Sequence, residues 1–451
     1  MRQKGTVPLV SKGGMVMSTK EETRKMRKVN MKIFPTYKKL AWDYLFFYTI
    51  DFLFLTQVKE ISAADVVLKG TFYSLFSILL QIPANIIVEF LGRKNSVVLG
   101  NILNCFYMVV IMLSRNLGDL IFAEFISAIS FAIKNIAEPS LLNESIPPSK
   151  YKGQIYSKIS AKGAAGYYLF NAISKIIAGF LFTINGYLPI ICSLAVLVIV
   201  SIISIGFIEP LKKSKKNMND LLGKKQLKDM KEGFAYILKS DRLKALLLCV
   251  SLISPLLVIL SNYHVSLLED LKLSSILIGI IAALGSFISS YASKKQEAYH
   301  NKLKNKSLII LASMLSISTL IAGICGLKAE EYIILLIIVI FTNLIYNFGQ
   351  GMYYTIIDKY LRNFSNKEID TKIFAAKNLF SNIGRVIGGL CASFLLDKMA
   401  TAYCMIIMGV IFTILYILMG KYMKTRIGLK PEEYSKEETK YDEQKQIQGE
   451  V

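Results

Sequence analysis

Long apolar runs alternate with short polar segments along most of this chain, and this alternation limits what it can fold into. About 20 apolar residues are enough for an α-helix to cross the hydrocarbon core of a bilayer. A helix also satisfies its own backbone hydrogen bonds there, so each run is predicted to be a transmembrane helix. Twelve such runs lie near residues 40–57, 67–90, 97–114, 117–141, 163–184, 187–208, 243–267, 274–293, 307–327, 331–356, 373–396 and 401–422.

The composition also indicates an all-α integral membrane protein. Of the 451 residues, 53% are hydrophobic, and the mean hydropathy is +0.45, above what soluble domains usually have. The net charge of +22 does not indicate a nucleic-acid partner, because the bases are spread between apolar runs. The six cysteines lie inside apolar runs without a disulfide or metal-ligand spacing, so we expect no disulfide, metal or cofactor. The polar, basic first 30 residues predict no cleavable signal peptide.

The loops between the runs differ in charge in a regular way. Every second loop is rich in bases. The intervening loops and their edges hold few bases, among them Lys59 and Lys69. Basic loops stay on the cytoplasmic side, so we predict a multi-pass protein of the cell membrane with both termini in the cytoplasm. The basic segments are the N-terminal tail, 93–94, 150–158, 209–242, 294–306, 359–377 and the C-terminal tail.

A long polar segment divides the runs into six and six. We predict a cytoplasmic tail over 1–39, a six-helix bundle over 40–208, a cytoplasmic linker over 209–242, a second bundle over 243–423 and a disordered tail over 424–451. Within the linker, apolar residues at helical spacing among lysines predict an amphipathic helix on the membrane surface, with a solvated first part as the alternative. These residues are Leu221, Leu222, Leu227, Met230 and Phe234.

The two halves carry a common sequence pattern. Residues 161–179 align without gaps on 371–389 at an offset of 210, with seven identities, and Lys175 aligns with Arg385. Both segments follow a basic loop as the fifth run of their half. Two unrelated amphipathic helices would share composition, but not this register. The pattern therefore predicts a duplicated unit, and so two pseudo-symmetric six-helix bundles.

The stretch QIPANIIVEFLGRKN, residues 81–95, ends an apolar run on Glu89, Gly92, Arg93 and Lys94. With twelve runs and a central linker, it resembles the major facilitator superfamily, whose loop between the second and third helices carries G-x3-D-[RK]-x-G-x-[RK]-[RK]. The resemblance implies a gating role in which Glu89 docks near the start of the eleventh helix. Simple anchoring of topology by the two bases is the alternative.

The same stretch is also similar to the E-x-P-x5-D-x3-R-K variant of clostridial tetracycline efflux proteins. That similarity implies a drug-efflux-like member, although glutamine and glutamate replace the variant's two acids. The antiporter signature G-P-x-x-G-G is only partly present at 174–179 and 384–389, because Lys175 and Arg385 replace the proline. These segments therefore do not establish antiport. The residues that match the variant by position are Gln81, Pro83, Glu89, Arg93 and Lys94.

Acidic side chains inside the predicted helices are candidates for proton coupling, because an ionisable group in hydrocarbon costs about 3 kcal/mol or more. Asp51 of the first run and Glu124 of the fourth are predicted to share a level in the outer half of the membrane. Asp43 and Lys134 would share a level in the inner half, with the alternative that Asp43 reaches interfacial water. Two nearby carboxylates raise each other's proton affinity.

Other polar side chains lie mid-run in both halves. Tyr44, Tyr48 and Asp51 have helical spacing, and so do the amides of the tenth run. Such residues are predicted to bind substrate, with helix-to-helix hydrogen bonding as the alternative for each amide. The predicted substrate-binding residues are Tyr48, Lys134, Asn171, Lys175, Asn262, His264, Asn343, Asn347, Gln350, Asn382 and Arg385.

Together these patterns predict a monomeric, proton-coupled secondary transporter that exports a small amphipathic compound by alternating access. Uptake of a small organic anion is the first alternative, because Lys134, Lys175 and Arg385 are basic. A membrane sensor without transport activity is the second. An enzyme is not expected, since the chain holds two histidines and shows no nucleophile or metal constellation. The expected partners are a small molecule, protons and lipid.

Overall fold

The computed structural model describes residues 20–147, 151–209, 240–303, 306–364 and 370–424, together with 235, 237 and 238. These residues are almost entirely helical. The helices are α1 (Lys20–Ala41), α2 (Asp51–Leu53, continued by a π-helical turn, Phe54–Val58), α3 (Ala63–Leu79), α4 (Gln81–Leu91), α5 (Arg93–Leu113), α6 (Leu117–Ser145), α7 (Lys152–Ile184), α8 (Leu188–Ile205), α9 (Asp241–Asp270), α10 (Ser275–Leu303), α11 (Ser307–Gly326), α12 (Ile333–Phe364), α13 (Asp370–Lys398) and α14 (Thr401–Lys424).

The helices account for the predicted membrane spans. Ten of the described helices are long and apolar enough to cross a bilayer alone, and α3 with α4 forms an eleventh span with a bend of 57°. The bend has a local cause, because Pro83 is the third residue of α4. Proline has no backbone N–H to donate to the preceding turn, and its ring clashes with a carbonyl oxygen of that turn. α1, α2 and the π-helical turn occupy the place of the first span. The predicted all-α membrane fold is confirmed.

The first span differs from the continuous helix predicted over 40–57. α1 begins at Lys20, inside the segment predicted as a tail, and packs Phe34 and Tyr37 into the first half's core. It ends at Ala41, and residues 42–50 form turns before α2 begins. The predicted stripe of Tyr44, Tyr48 and Asp51 along one helix is therefore wrong, since two of its three members lie in the turns.

Contacts between helices repeat from one half to the other. In the first half α1 packs on α7, α3 on α6, and α5 on both α6 and α8. The equivalent contacts in the second half are α9 on α13, α10 on α12, and α11 on both α12 and α14. This correspondence is the packing expected of a duplicated unit.

The two bundles meet chiefly through two helix pairs, α3 with α13 and α7 with α10. Small residues permit the close approach. A Cβ built on Gly179 of α7 would lie 2.7 Å from the carbonyl oxygen of Ser275, and one built on Gly279 of α10 would lie 2.8 Å from that of Lys175. The Gly179 position thus retains the close contact expected of the small residues at 174–179.

Two predicted segments fall largely outside the described residues. The amphipathic helix predicted in the linker, with Leu221 to Phe234, falls on residues 210–234, which are not among the described residues. The predicted C-terminal tail, 424–451, is also outside the described residues, apart from Lys424, the last residue of α14.

Candidate functional site

The break between α1 and α2 exposes backbone groups that a continuous helix would satisfy. Within the membrane such groups need protein partners. The ammonium of Lys134, on α6, donates to the carbonyl oxygen of Ala41 at 2.9 Å, and thus caps the last residue of α1. Phe46 adopts a left-handed φ of 68° inside the break. The break is therefore held by a contact that spans 93 residues of sequence.

Lys134 also belongs to a buried charged cluster. Glu138 accepts hydrogen bonds from Tyr37 at 2.7 Å and from Lys38 at 2.5 Å, and the Lys134 ammonium lies 3.8 Å from it. In this conformation the Lys134 ammonium is thus occupied by the backbone of α1 and by Glu138. Asp43 and Lys134, which were predicted to lie at one level of the membrane, do not form a direct ion pair.

Asp43 lies within the break and is half-buried. Its carboxylate accepts from the hydroxyl of Tyr167, on α7, at 3.0 Å and from the backbone N–H of Tyr44 at 2.9 Å. No lysine or arginine forms an ion pair with it in the described part of the chain. The carboxylate is therefore anchored by neutral donors.

Asp51 and Glu124 flank a lysine that the sequence interpretation placed at a loop edge. The Lys69 ammonium lies 2.7 and 2.8 Å from the two carboxylate oxygens of Asp51 and 3.6 Å from the nearer oxygen of Glu124. Tyr107 donates to Glu124 at 3.3 Å. The predicted acid–acid level is thus a carboxylate–ammonium–carboxylate cluster. Lys69 was missed as a site residue although it lies inside the predicted run 67–90.

Lys175 and Arg385, the pair related by the sequence repeat, both bind serine hydroxyls. Lys175 donates across the bundle interface to Ser286 of α10 at 2.7 Å. Arg385 donates to Ser254 of α9 at 3.0 Å. Neither has a carboxylate within ion-pair distance in the described part of the chain.

Groups from both bundles approach one another beside α3. Arg385 lines a small cavity with Asn262 of α9 and Thr71 of α3. The ring of Tyr48 lies 5.4 Å from that of Tyr44, centroid to centroid. Tyr48 is 48% exposed.

The predicted polar groups of α12 are engaged in protein contacts. The side-chain amide of Asn347 donates to the backbone and side-chain oxygens of Asn343, each at 2.9 Å, and Ser289 of α10 donates to the carbonyl of Asn347 at 2.7 Å. Helix-to-helix hydrogen bonding therefore accounts for this pair. Gln350 is half-buried further along α12.

Three other predicted residues are buried or half-buried. His264 is 1% exposed, its ring nitrogens have no hydrogen-bond partner within the described ranges, and its ring centroid lies 5.6 Å from that of Tyr346. Asn171 and Asn382 are half-buried. Among the described residues, no group of three or more His, Cys, Asp or Glu side chains could hold a metal.

The predicted gating corner contains a contact that the sequence did not indicate. Gly92 has a φ of 84°, and the two oxygens of Glu209 accept from the backbone N–H groups of Arg93 at 3.0 Å and Lys94 at 2.7 Å. A carboxylate is favoured there because a helix N-terminus carries free N–H groups and partial positive charge. Arg93 also pairs with Glu144 at 3.4 Å.

The other members of the motif have separate positions. Gln81 begins α4 at the 57° bend, and Pro83 follows within its first turn. Glu89 is half-buried near the end of α4. Docking of Glu89 at the start of the eleventh span stays a prediction, because the side chains of 370–372 lie outside the description.

Comparison with known proteins gives one family match and several structural matches. The sequence matches the model of the Major Facilitator Superfamily over residues 42–362. No curated protein sequence matches the chain. Solved structures with the same fold include the nucleoside transporter NupG, with a TM-score of 0.63, 12% identity and coverage of 90% of this chain and 100% of that one.

Two further structures have the same fold. A bacterial homolog of the human lysosomal transporter Spinster, inward-facing and unoccupied, has a TM-score of 0.62 and 14% identity, covering 91% of this chain and 99% of its own. A POT family transporter in complex with 5-aminolevulinic acid has a TM-score of 0.59 and 13% identity, covering 89% and 96%.

Proposed function

The chain belongs to the major facilitator superfamily, whose members move small molecules across membranes, and we propose that it is a proton-coupled transporter that exports a small amphipathic compound. The family match and the transporter neighbours establish a transporter rather than an enzyme. Proton coupling, direction and the class of substrate form the proposal.

The single observation that carries proton coupling is the cluster of Asp51, Lys69 and Glu124. Two carboxylates share one ammonium, with Lys69 within 2.8 Å of Asp51 and 3.6 Å of Glu124. With all three ionised the cluster has a net charge of −1, which is unfavourable at a largely buried site. One bound proton neutralises it. The charge count therefore supports coupling through one proton at Asp51 or Glu124, with Asp43 as a further predicted coupling residue.

The neighbourhood of the cluster supports an amphipathic substrate. Tyr44 packs its ring on that of Tyr107 with centroids 4.7 Å apart and on Phe131 at 5.4 Å. Tyr48 is partly exposed and would face the central substrate chamber that we propose between the bundles. A ligand with an apolar body would contact these rings, and its polar group would meet the charges. We assign to the same chamber, as part of the proposal, the predicted residues that are half-buried or line the cavity between the bundles: Asn171, Lys175, Asn262, Gln350, Asn382 and Arg385.

The bundle interface supports alternating access. Its described hydrogen bonds are few and mostly between neutral groups: Ser393 donates to the carbonyl of Ala64 at 2.9 Å, and Thr183 pairs with Ser275 at 2.9 Å. These contacts lie on the membrane face opposite the Gly92 corner. Such bonds contribute about 1 kcal/mol each, so one face can open while the pseudo-symmetric bundles stay intact.

Reconstituted protein tests the coupling directly. In proteoliposomes containing a pH-sensitive dye, a fluorescent amphipathic compound should drive a change in internal pH that Asp51→Asn and Glu124→Gln abolish. Glu330→Gln provides the control, because this exposed acid pairs with Lys272 away from the chamber and should leave the signal unchanged. Substrate movement without proton movement in the wild type would exclude coupling.

Export is tested separately in cells. Expression of the protein should lower accumulation of the amphipathic dye relative to cells carrying Asp51→Asn at equal abundance. Higher accumulation would reverse the proposed direction.

Uptake of a small organic anion is a second candidate, favoured by a different observation. Lys175 and Arg385 each bind a neutral serine and have no carboxylate partner in the described part of the chain. Two unneutralised cations at equivalent positions of the two halves could hold one carboxylate between them. A radiolabelled monocarboxylate should then accumulate in wild-type cells, and Lys175→Gln or Arg385→Gln should abolish accumulation. No accumulation would leave export as the proposed function.

Location, oligomeric state and gating complete the proposal. The charge asymmetry of the loops supports a cell-membrane protein with both termini cytoplasmic, acting as a monomer. Gly92, Arg93 and Lys94 would hold the cytoplasmic corner, while Glu89 forms a contact that changes between states. Terminal reporter fusions that are active only in the cytoplasm test the topology.

A further inference from the structure

A groove on the outer surface of the second bundle is separate from the central chamber. It lies between α11 and α14, has a volume of about 370 Å³, and is lined by Ile309, Ser313, Ile417 and Gly420, among others. Gly420 keeps it open, because a Cβ built there would come within 3.2 Å of the Ile309 side chain. The groove is therefore a shaped depression between two helices.

Two lysines lie at one end of this groove. Lys306 immediately precedes α11, and Lys421 is in the last turn of α14. Both line the groove and both are exposed. Neither has a carboxylate within ion-pair distance among the described residues. The lysine end of the groove thus carries two positive charges that the described residues do not neutralise.

The rest of the groove faces the lipid. Large apolar side chains beside it on both helices are exposed, including Ile310 at 38%, Ile414 at 54% and Leu418 at 57%. α11 begins and α14 ends at the same membrane face, so the lysines mark the interfacial end. From Lys306 to Ser313 the groove descends about 10 Å into the bilayer, at 1.5 Å per residue.

We propose that this groove binds an anionic phospholipid. The phosphate lies between Lys306 and Lys421, and one acyl chain follows the groove over Ile309 and Ile417. Basic pockets between helices at a membrane surface favour anionic head groups, and the apolar walls suit an acyl chain. A zwitterionic lipid has the same chains but no net charge, so charge complementarity selects the anionic one.

The test is native mass spectrometry of detergent-purified protein incubated with phosphatidylglycerol or with phosphatidylethanolamine of identical acyl chains. Wild type should retain phosphatidylglycerol preferentially. Each of Lys306→Gln and Lys421→Gln should lower that retention about fivefold, with little effect on phosphatidylethanolamine. Gly420→Leu should lower it with both lysines intact, because the side chain fills the groove.

Lys328→Gln is the matched control, since this exposed lysine follows the opposite end of α11 and should leave retention unchanged. Thermal unfolding in the same detergent identifies any variant that is misfolded. If a variant is misfolded, its adduct measurement is replaced by a test on wild type, which phosphatidylglycerol should protect from unfolding. Equal retention of the two lipids by wild type would overturn the proposal. So would undiminished retention by the two lysine variants combined, or equal loss in Lys328→Gln.

Discussion

Thr56, in the π-helical turn that ends the first span, donates its hydroxyl to both carboxylate oxygens of Glu269, at 2.8 and 3.0 Å. Glu269 lies at the end of α9, so this contact joins the two bundles. A carboxylate acceptor makes it stronger than the hydroxyl and carbonyl contacts elsewhere at the interface. It lies on the same face as the Ser393–Ala64 and Thr183–Ser275 contacts and is the only one of these three that involves a charge.

Weakening this contact should favour the state in which that face is open. Thr56→Val removes a hydrogen bond to a charged group, which contributes about 1.5 kcal/mol, so the population of the open state should rise on the order of tenfold. Glu269→Gln keeps an amide acceptor but removes the charge, so it should act in the same direction by a smaller factor. Spin labels on the ends of α7 and α9 would report the separation of the bundles by pulsed electron resonance. Glu330→Gln, in a nearby surface ion pair, should leave the distances unchanged. Unaltered distances in both interface variants would contradict the role of the contact.

Removing the cation from the acidic cluster should destabilise the protein more than removing an acid. Lys69→Met leaves Asp51 and Glu124 buried without their shared ammonium, and breaking a buried ion pair in this way costs about 3–5 kcal/mol. Adding Asp51→Asn to that variant removes one of the two uncompensated charges and should restore part of the stability. Thermal unfolding in detergent measures both. If the double variant were less stable than Lys69→Met alone, the two groups would not be coupled as the distances indicate.

The cap on α1 gives a third prediction. Lys134→Met removes the donor to the Ala41 carbonyl and leaves that group unsatisfied within the membrane. The expected loss of stability is about 1–3 kcal/mol. Lys158→Met serves as the comparison, because Lys158 is exposed on α7 and should have little effect. Unfolding midpoints of the two variants in the same detergent decide the matter, and equal midpoints would show that the cap contributes nothing measurable.

The corner at Gly92 gives a fourth prediction. Gly92→Ala imposes a side chain at a φ of 84° and a ψ of 170°, and the new Cβ would lie 3.2 Å from an oxygen of Glu209, so stability should fall by about 1–3 kcal/mol. Gly70→Ala, inside α3, has no atom within 4 Å of the new Cβ. It should be neutral or stabilising by up to about 1 kcal/mol. A Gly92→Ala protein as stable as the wild type would mean that neither the φ angle nor the Glu209 contact constrains the corner.

Much of the fold could be predicted from the sequence, because it depends on properties of short segments. The length of each apolar run decides whether a helix crosses the bilayer, and the unmet backbone hydrogen bonds of any other conformation exclude alternatives in hydrocarbon. The repeat that relates Lys175 to Arg385 likewise indicated two bundles of one design. The bend before Pro83 is consistent with the missing N–H and the crowded ring of proline, but Pro35, Pro139 and Pro255 lie inside helices, so a proline alone does not determine a bend.

The tertiary structure alone decided how the charged groups are paired. Lys69 was interpreted as a loop-edge base and instead lies between Asp51 and Glu124. Lys134 was expected to bind substrate, yet its ammonium caps Ala41. Glu209 was part of a linker and instead caps the helix that begins at Arg93. The partners are 18 to 116 residues apart in sequence, and no local pattern predicts such pairs. A membrane span is set by the free energy of transferring its own segment from water to lipid, whereas an ion pair or a cap depends on which distant segment packs beside it.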